Sequence, residues 1–410
     1  MEGINMSGAL SGIRALELAV YQNGPAAGYM LGDMGAEVIK IEDRVRGDYG
    51  RGTSSLWGIS TEHKGSNLFF ETPNRNKKSI TLDLKKEKGR EVLYRLVEKS
   101  DIFYTNFSNK ICSNLGCDYE TLRKVNSKII YGRASGYGRK GPESHLRAFD
   151  VVAQARSGMM EQTGEAVGPP ATVTGAVIDQ MGATMLAYGI LAALVARDRQ
   201  GVGQELETSL LGSAIHLQAM SVNQACLTGR AFSRHNRKRA RNPLANYYQC
   251  ADDKWIMFSE LQSDRFWTDF CNAVGMPELI TDPRFESSKV RRENFVECIE
   301  ILDRLFKTKP RDEWMKLIRE KGGGVVCSEV FSLTDLPGQP QIMENEYIVE
   351  YDHPIFGKSN LIGFPVWFSE TPAQIAGKAP QFGEHTEEVL LELGGYSWED
   401  IATFREEEVI

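Results

Sequence analysis

The stretch GIRALELAVYQNGPAAGYMLGDMGAEVIKIE, residues 12–42, decides the fold. Its first eight residues form a short apolar run that predicts a strand. Residues 24–35 are small and apolar and predict a helix, and AEVIKIE (36–42) predicts a second strand. The alternation continues downstream. KKEKGREVLYRLVEKS (85–100) has helical spacing, DIFYTNF (101–107) reads as a buried strand, and DYETLRKVN (118–126) with KIIYGRAS (128–135) repeats the helix–strand pair. Strands alternating with crossover helices specify an α/β fold with a parallel sheet. Ligands of such sheets bind at the carboxyl ends of the strands. Here those ends are VYQNGP (20–25), EDRVRGDYGRG (42–52), NFSNK (106–110) and SGYGRKGP (135–142).

The texture changes at GRAFSRHNRKRARNPLANYY (229–248), which is basic and irregular. Beyond it come a short strand in KWIMFSE (254–260), helical stretches at 263–275, 291–308 and 310–322, and GVVCSEV (324–330). These predict a second, smaller α/β domain. Residues 344–368 read as two strands around a turn at Phe356–Gly357, followed by a final helix in GEHTEEVLLELGG (383–395). The expected organisation is a large domain over 1–210, a linker over 211–245, a small domain over 246–335, and a tail over 336–410 returning to the large domain.

Of the 410 residues, 41% are hydrophobic and 25% charged, which predicts a soluble globular protein. The formal charge of −7 supplies no global basic field for nucleic acid or an anionic membrane. Seven cysteines, none in CxxC spacing, argue against a disulfide framework or zinc site and fit a reducing cytoplasm. MEGINMSGALSG lacks the pattern of a signal peptide. The apolar run 182–196 falls short of the ~20 residues that span a bilayer, so it reads as a buried core helix.

GYGRKG (136–141) matches G-x-G-x-x-G but runs into Pro142 rather than opening a helix, so it reads as a glycine-rich turn. None of the six histidines pairs at metal-ligand spacing, and no metal site is expected. The basic run Arg234, Arg237, Lys238, Arg239, Arg241 is either a solvated loop or a holder for a polyanion. Asp179 stands just before the apolar run, where an aspartate serves as a helix N-cap. The small residues of QMGAT that follow leave room for a ligand near the backbone. A carboxylate there can also act as a nucleophile toward an activated acyl group.

Several stretches together carry a resemblance: residues 10–42, 74–91, DIFYTNF, SGYGRKGP, FDVVAQARSGMMEQTGE (149–165), 190–211 and GEHTEEVLLELG (383–394). In order and content the chain resembles the family III CoA-transferases, the group containing formyl-CoA:oxalate, carnitine and phenyllactate CoA-transferases. The resemblance implies a large doubly wound, Rossmann-like domain and a smaller α/β domain. It also implies a ring-shaped chain interlocked with a second copy. It implies further that no cofactor is bound permanently and that an acyl-CoA thioester and a carboxylic acid are the substrates. By the same resemblance Asp179 is the nucleophile, passing through aspartyl anhydride and aspartyl-CoA thioester intermediates. Gln22 and Asp150 match supporting active-site positions. Asn106, Arg147 and Leu84 match CoA contacts. Where the oxalate enzyme has a CoA-binding arginine directly after IKIE, this chain has Asp43, with Arg44 next; Lys110 stands near a second missing arginine.

The oxalate enzyme's tetraglycine loop is replaced here by RKRARNPLANYY, which argues against oxalate. The reading favours succinyl-CoA as donor and, as acceptor, an aryl-substituted acid or a dicarboxylate such as benzylsuccinate. The rival within the superfamily is a 2-methylacyl-CoA racemase. Its proton-transferring histidine would stand at Phe149, and phenylalanine carries no exchangeable proton. A further alternative is the catalytic subunit of a heteromeric transferase.

Overall fold

The computed structural model describes residues 8–410. Residues 1–7, the start of the stretch read above as lacking a signal-peptide pattern, lie outside the described residues. The chain divides into two compact units. One runs to Thr163 and adds Pro170–Phe232 and Gln341–Ile410; the other comprises Gly164–Pro169 and Ser233–Pro340.

The first unit is built on a six-stranded sheet. Its strands are β1 (Arg14–Leu18), β2 (Glu37–Asp43), β3 (Lys77–Leu82), β4 (Ile102–Thr105), β5 (Ile130–Ser135) and β6 (Gln204–Ser209). Their order is β6-β5-β4-β1-β2-β3, and every pairing is parallel. The strand order reverses between β1 and β4, which makes the crevice at their carboxyl ends the expected ligand site.

Side-chain alternation sends successive residues to opposite faces. In β4, Phe103 joins one core with Ile39, Ile80, Val92 and Leu96, while Ile102 and Tyr104 join the other with Ala27, Ala183 and Leu186. Helix α1 (Asn23–Asp33) and helix α2 (Glu87–Glu98) supply core residues to opposite faces.

Two strands lie where hydrophobic pattern gave no signal. β6 is an edge strand, QELETS, half-exposed along its length. β3 begins with Lys77, which is fully buried and ion-paired to Glu17 at 2.7 Å. Glu17 also pairs with Lys40 at 2.8 Å, and Lys40 with Asp48 at 2.7 Å. The Tyr104 hydroxyl donates to Glu17. Burial drags the Lys77 ammonium down to about 8, because it shares its one carboxylate partner with Lys40. Burial also opposes the charge on Lys40, but Asp48 and Glu17 outweigh it and hold its pKa above the ordinary lysine value. Gly28 in α1 makes room for this cluster, since a Cβ there would run into the Tyr104 hydroxyl and the Glu17 carboxylate.

The run read as a buried core helix is longer and more one-sided than expected. Helix α4 spans Val177–Gln200, 24 residues, long and apolar enough by length and composition to cross a membrane. It is instead packed on one face: Ile178, Gly182, Ala183, Leu186, Ala187, Ile190, Ala193 and Leu194 are buried. Thr184, Tyr188, Ala192 and Val195 form an exposed stripe, with Tyr188 67% exposed.

The second unit holds a three-stranded antiparallel sheet of β7 (Tyr247–Gln249), β8 (Trp255–Phe258) and β9 (Cys327–Val330). Its core includes Phe258, Phe270, Leu302, Phe306 and Trp314. The basic run is largely structural: Arg237 and Lys238 both pair with Asp303, and Arg234 donates to the carbonyls of Glu165, Gly168 and Pro169. In the tail, the expected hairpin forms from β10 (Ile348–His353) and β11 (Gly357–Ile362).

Candidate active site

The loops after β1, β2, β4 and β5, where the sequence placed the ligand site, line one cavity of about 1090 Å³. The loop after β3 joins them through Asp83, Leu84 and Lys85. Asp179 lines the same cavity. Its environment is assembled from three separate segments.

Asp179 is not the N-cap. Helix α4 begins at Val177, and Ala176, in the left-handed region at φ 56°, has no capping side chain. The cap comes from Asp150, the first residue of helix α3 (Asp150–Arg156). One Asp150 oxygen accepts from the Ile178 N–H at 2.6 Å and the Asp179 N–H at 3.1 Å. Its other oxygen accepts from Gln154 Nε2 at 2.5 Å. The Asp179 carboxyl, relieved of capping, is left with burial and a neighbouring negative charge. Burial first, and Asp150 second, push it up to about 7.

Asn23, at the start of α1, donates to the Asp179 carbonyl at 3.2 Å. It, and not a ligand, occupies the room beside Gly182: a Cβ there would collide with the Asn23 amide. We therefore expect Gly182→Ala to displace Asn23 and lower kcat about tenfold or more, with Asp179 itself intact. Steady-state kinetics with circular dichroism to verify folding would check this.

Among the other residues singled out by sequence, Gln22, Leu84, Asn106, Lys110 and Arg147 line the cavity, whereas Asp150 and Arg44 do not. Gln22 donates to the Phe69 carbonyl at 2.8 Å. The Asn106 amide is fully engaged with one residue, accepting from the Val20 N–H at 3.1 Å and donating to the Val20 carbonyl at 2.7 Å. It clamps the β1–α1 loop. Arg44 sits 3.3 Å from Glu408, and Arg46 takes a place on the cavity wall. Asp43 forms the turn that separates them, accepting from the Val45 and Arg46 N–H groups at 3.1 and 2.8 Å.

Lys85 and Arg139 also line the cavity and were not singled out. Arg139 had only its place in the glycine turn as a sequence signal, and Lys85 had none, because the strand it follows, β3, carried no hydrophobic signal. Arg46, Lys85, Lys110, Arg139 and Arg147 make no ion pair among the described residues, so the cavity has a cationic rim over a carboxylate. Phe149 is 57% exposed on the same wall, and the backbone from 136 to 149 forms no helix after GYGRKG, as the turn reading expects.

A doubly wound parallel sheet with a half-buried carboxylate under a cation-rimmed crevice defines an α/β protein with a ligand site at its strand ends. Comparison with known proteins gives the particular family. The sequence model of CoA-transferase family III matches residues 10–386. The chain belongs to CoA-transferase family III and is an enzyme with CoA-transferase activity.

Relatives include the succinyl-CoA–D-citramalate CoA-transferase of Chloroflexus aurantiacus, 30% identical over 98% of both chains. The cinnamoyl-CoA:phenyllactate CoA-transferase of Clostridium sporogenes is 31% identical over 95% of this chain and 94% of that one. The succinyl-CoA:glutarate CoA-transferase of Mus musculus is 31% identical over 94% and 87%. Among solved structures, a CAIB/BAIF family protein from Brucella suis superposes with a TM-score of 0.83 at 26% identity, covering 94% of this chain and all of that one.

Proposed function

We propose that this enzyme moves CoA from succinyl-CoA to a carboxylic acid with Asp179 as nucleophile. The observation that carries the reading is the position of Asp179, half-buried at the wall of the strand-end cavity with its backbone fixed from two sides. A carboxylate oxygen of Asp179 attacks the thioester carbonyl. The C–S bond breaks, giving a mixed anhydride and CoA thiolate. Thiolate attacks the aspartyl carbonyl, releasing the donor acid and leaving an aspartyl-CoA thioester. The acceptor carboxylate attacks that thioester to form a second anhydride. Thiolate then attacks its acyl carbonyl, releasing the new acyl-CoA and regenerating the Asp179 carboxylate. The thioester's activation is retained throughout, so the cycle calls for no ATP.

The remaining residues take roles by position. Arg46, Lys85, Lys110, Arg139 and Arg147 would neutralise the CoA phosphates, and Leu84 would pack near the adenine. Gln22 and Asp150 support the nucleophile, and Asn106 holds the loop that carries Gln22. Arg44, paired with Glu408, leaves its expected phosphate role to Arg46. Two relatives named for succinyl-CoA favour that donor, and the phenyllactate relative favours an aryl acceptor. The proposed assembly is an interlocked homodimer in the cytoplasm, with a heteromer as alternative. The exposed stripe of α4 at Tyr188 and Val195 supports a partner-covered surface.

Phe149 lining the cavity where a racemase would need its histidine favours transfer over epimerisation. Trapping tests the mechanism. Hydroxylamine added with succinyl-CoA should inactivate the enzyme and change the mass of the peptide carrying Asp179, with no inactivation when succinyl-CoA is omitted. Modification elsewhere, with Asp179 untouched, would remove it from the nucleophile's role.

A further inference from the structure

We infer that Tyr21, Tyr49 and Phe149 form an aromatic wall that selects acids bearing an aryl side chain. The inference rests on the proposed role of Asp179 and names the substrate class that site takes. The rings make a continuous surface. Tyr21 and Tyr49 stack with centroids 5.7 Å apart, and Phe149 meets Tyr21 edge-on at 5.8 Å and 87°. All three line the cavity that contains Asp179. Phe149 is 57% exposed and Tyr49 47%, so both rings present faces to the cavity that the protein itself leaves uncovered. Large aromatics held open on a concave wall gain most from a flat apolar group stacked against them.

The wall is tied to the nucleophile through the backbone. Phe149 precedes Asp150, which accepts the Asp179 N–H at 3.1 Å. Tyr21 stands two residues before Asn23, which donates to the Asp179 carbonyl at 3.2 Å. An acid whose carboxylate reaches Asp179 extends its side chain into the cavity that these rings line. Tyr21 is also held at φ 65°, a left-handed conformation that is unfavourable for a bulky residue. Its N–H donates to Asp48 at 3.0 Å, and Asn106 fixes the preceding residue by two hydrogen bonds. Strain maintained by this many contacts marks a side chain whose placement matters to the site.

The test compares two acceptors that differ by a phenyl ring, propanoate and 3-phenylpropanoate, with succinyl-CoA as donor. For the wild-type enzyme, kcat/KM for 3-phenylpropanoate should exceed that for propanoate by at least about tenfold. Phe149→Ala and Tyr49→Ala should each remove most of that preference. Each should cost transfer to 3-phenylpropanoate far more than transfer to propanoate, with no matching rise in the KM for succinyl-CoA. Phe149→Leu, which keeps apolar volume without the ring, should lie between. Equal rates for the two acids, no transfer to either, or equal losses on both in the variants would overturn the wall. So would a parallel rise in the KM for succinyl-CoA, which would place the rings against CoA. The readout is a ratio between acids, so it is separable from the nucleophile: retained turnover in Asp179→Asn would refute the mechanism while leaving the ratio measurable.

Discussion

Asp179→Asn is expected to abolish CoA transfer and, at the same time, to make the protein more stable above neutral pH. The loss follows from the proposed mechanism. An amide cannot form the anhydride, and removing a covalent nucleophile costs on the order of 10⁴-fold or more in kcat. The stability gain follows from linkage. Burial and Asp150 raise the Asp179 pKa from 3.8 to about 7, so the folded state holds a proton that the unfolded chain has already released. Below pH 3.8 both states are protonated and the group costs nothing. As pH rises toward about 7 the cost grows, and above that it is complete. Roughly three pKa units at about 1.4 kcal/mol each put it at a few kcal/mol. Asparagine carries no charge and escapes it. Thermal unfolding should thus give a higher Tm for Asp179→Asn than for wild type at pH 8, with the difference shrinking toward pH 4. Wild-type kcat/KM should fall below about pH 7, since only the ionised carboxylate attacks. Wild-type-like turnover in the variant, or a Tm difference independent of pH, would contradict this account.

Glu17→Ala is expected to destabilise the fold strongly, although Glu17 lies outside the cavity. Glu17 is the carboxylate shared by two buried ammonium groups, Lys40 at 2.8 Å and Lys77 at 2.7 Å. Removing it leaves Lys40 with Asp48 and the Ala19 carbonyl, and leaves Lys77 with only the Pro25 carbonyl and the Asn74 amide oxygen. Breaking a buried pair on one side costs about 3–5 kcal/mol, because the stranded charge stays desolvated. Urea unfolding would show it as a lower midpoint with little change in slope. Activity should fall too. Lys40 holds Asp48, and Asp48 accepts from the N–H groups of Tyr21 and Gly50 at 3.0 and 2.7 Å. The buried cluster thereby steadies the loop that follows β1. A stability change under about 1 kcal/mol would mean that the lysines find other partners or lose their protons.

The sequence by itself determined the class of fold and the address of the site. Strand and helix periods are local, so 12–42 and 85–135 could be read directly. Parallel α/β connectivity then puts ligands at strand ends, and the loops there do line the cavity. Asp179 was legible because a lone carboxylate before an apolar run is conspicuous, and the resemblance gave it a role.

Only the tertiary structure decided what surrounds that carboxylate. β3 and β6 escaped because one opens on two lysines, Lys77 hidden in the core against Glu17, and the other is a polar edge, so neither carries a long apolar alternation. The helix cap assigned to Asp179 belongs to Asp150, 29 residues earlier, and the space beside Gly182 belongs to Asn23, at the start of α1. Arg46 rather than Arg44 reaches the wall because a turn formed by Asp43 intervenes. Each of these is a hydrogen bond, an ion pair or a steric contact between segments distant in the chain, or the product of a turn. Local periodicity holds no information about such pairings: they exist only once the crossovers have brought the strand ends together and buried polar groups must find partners.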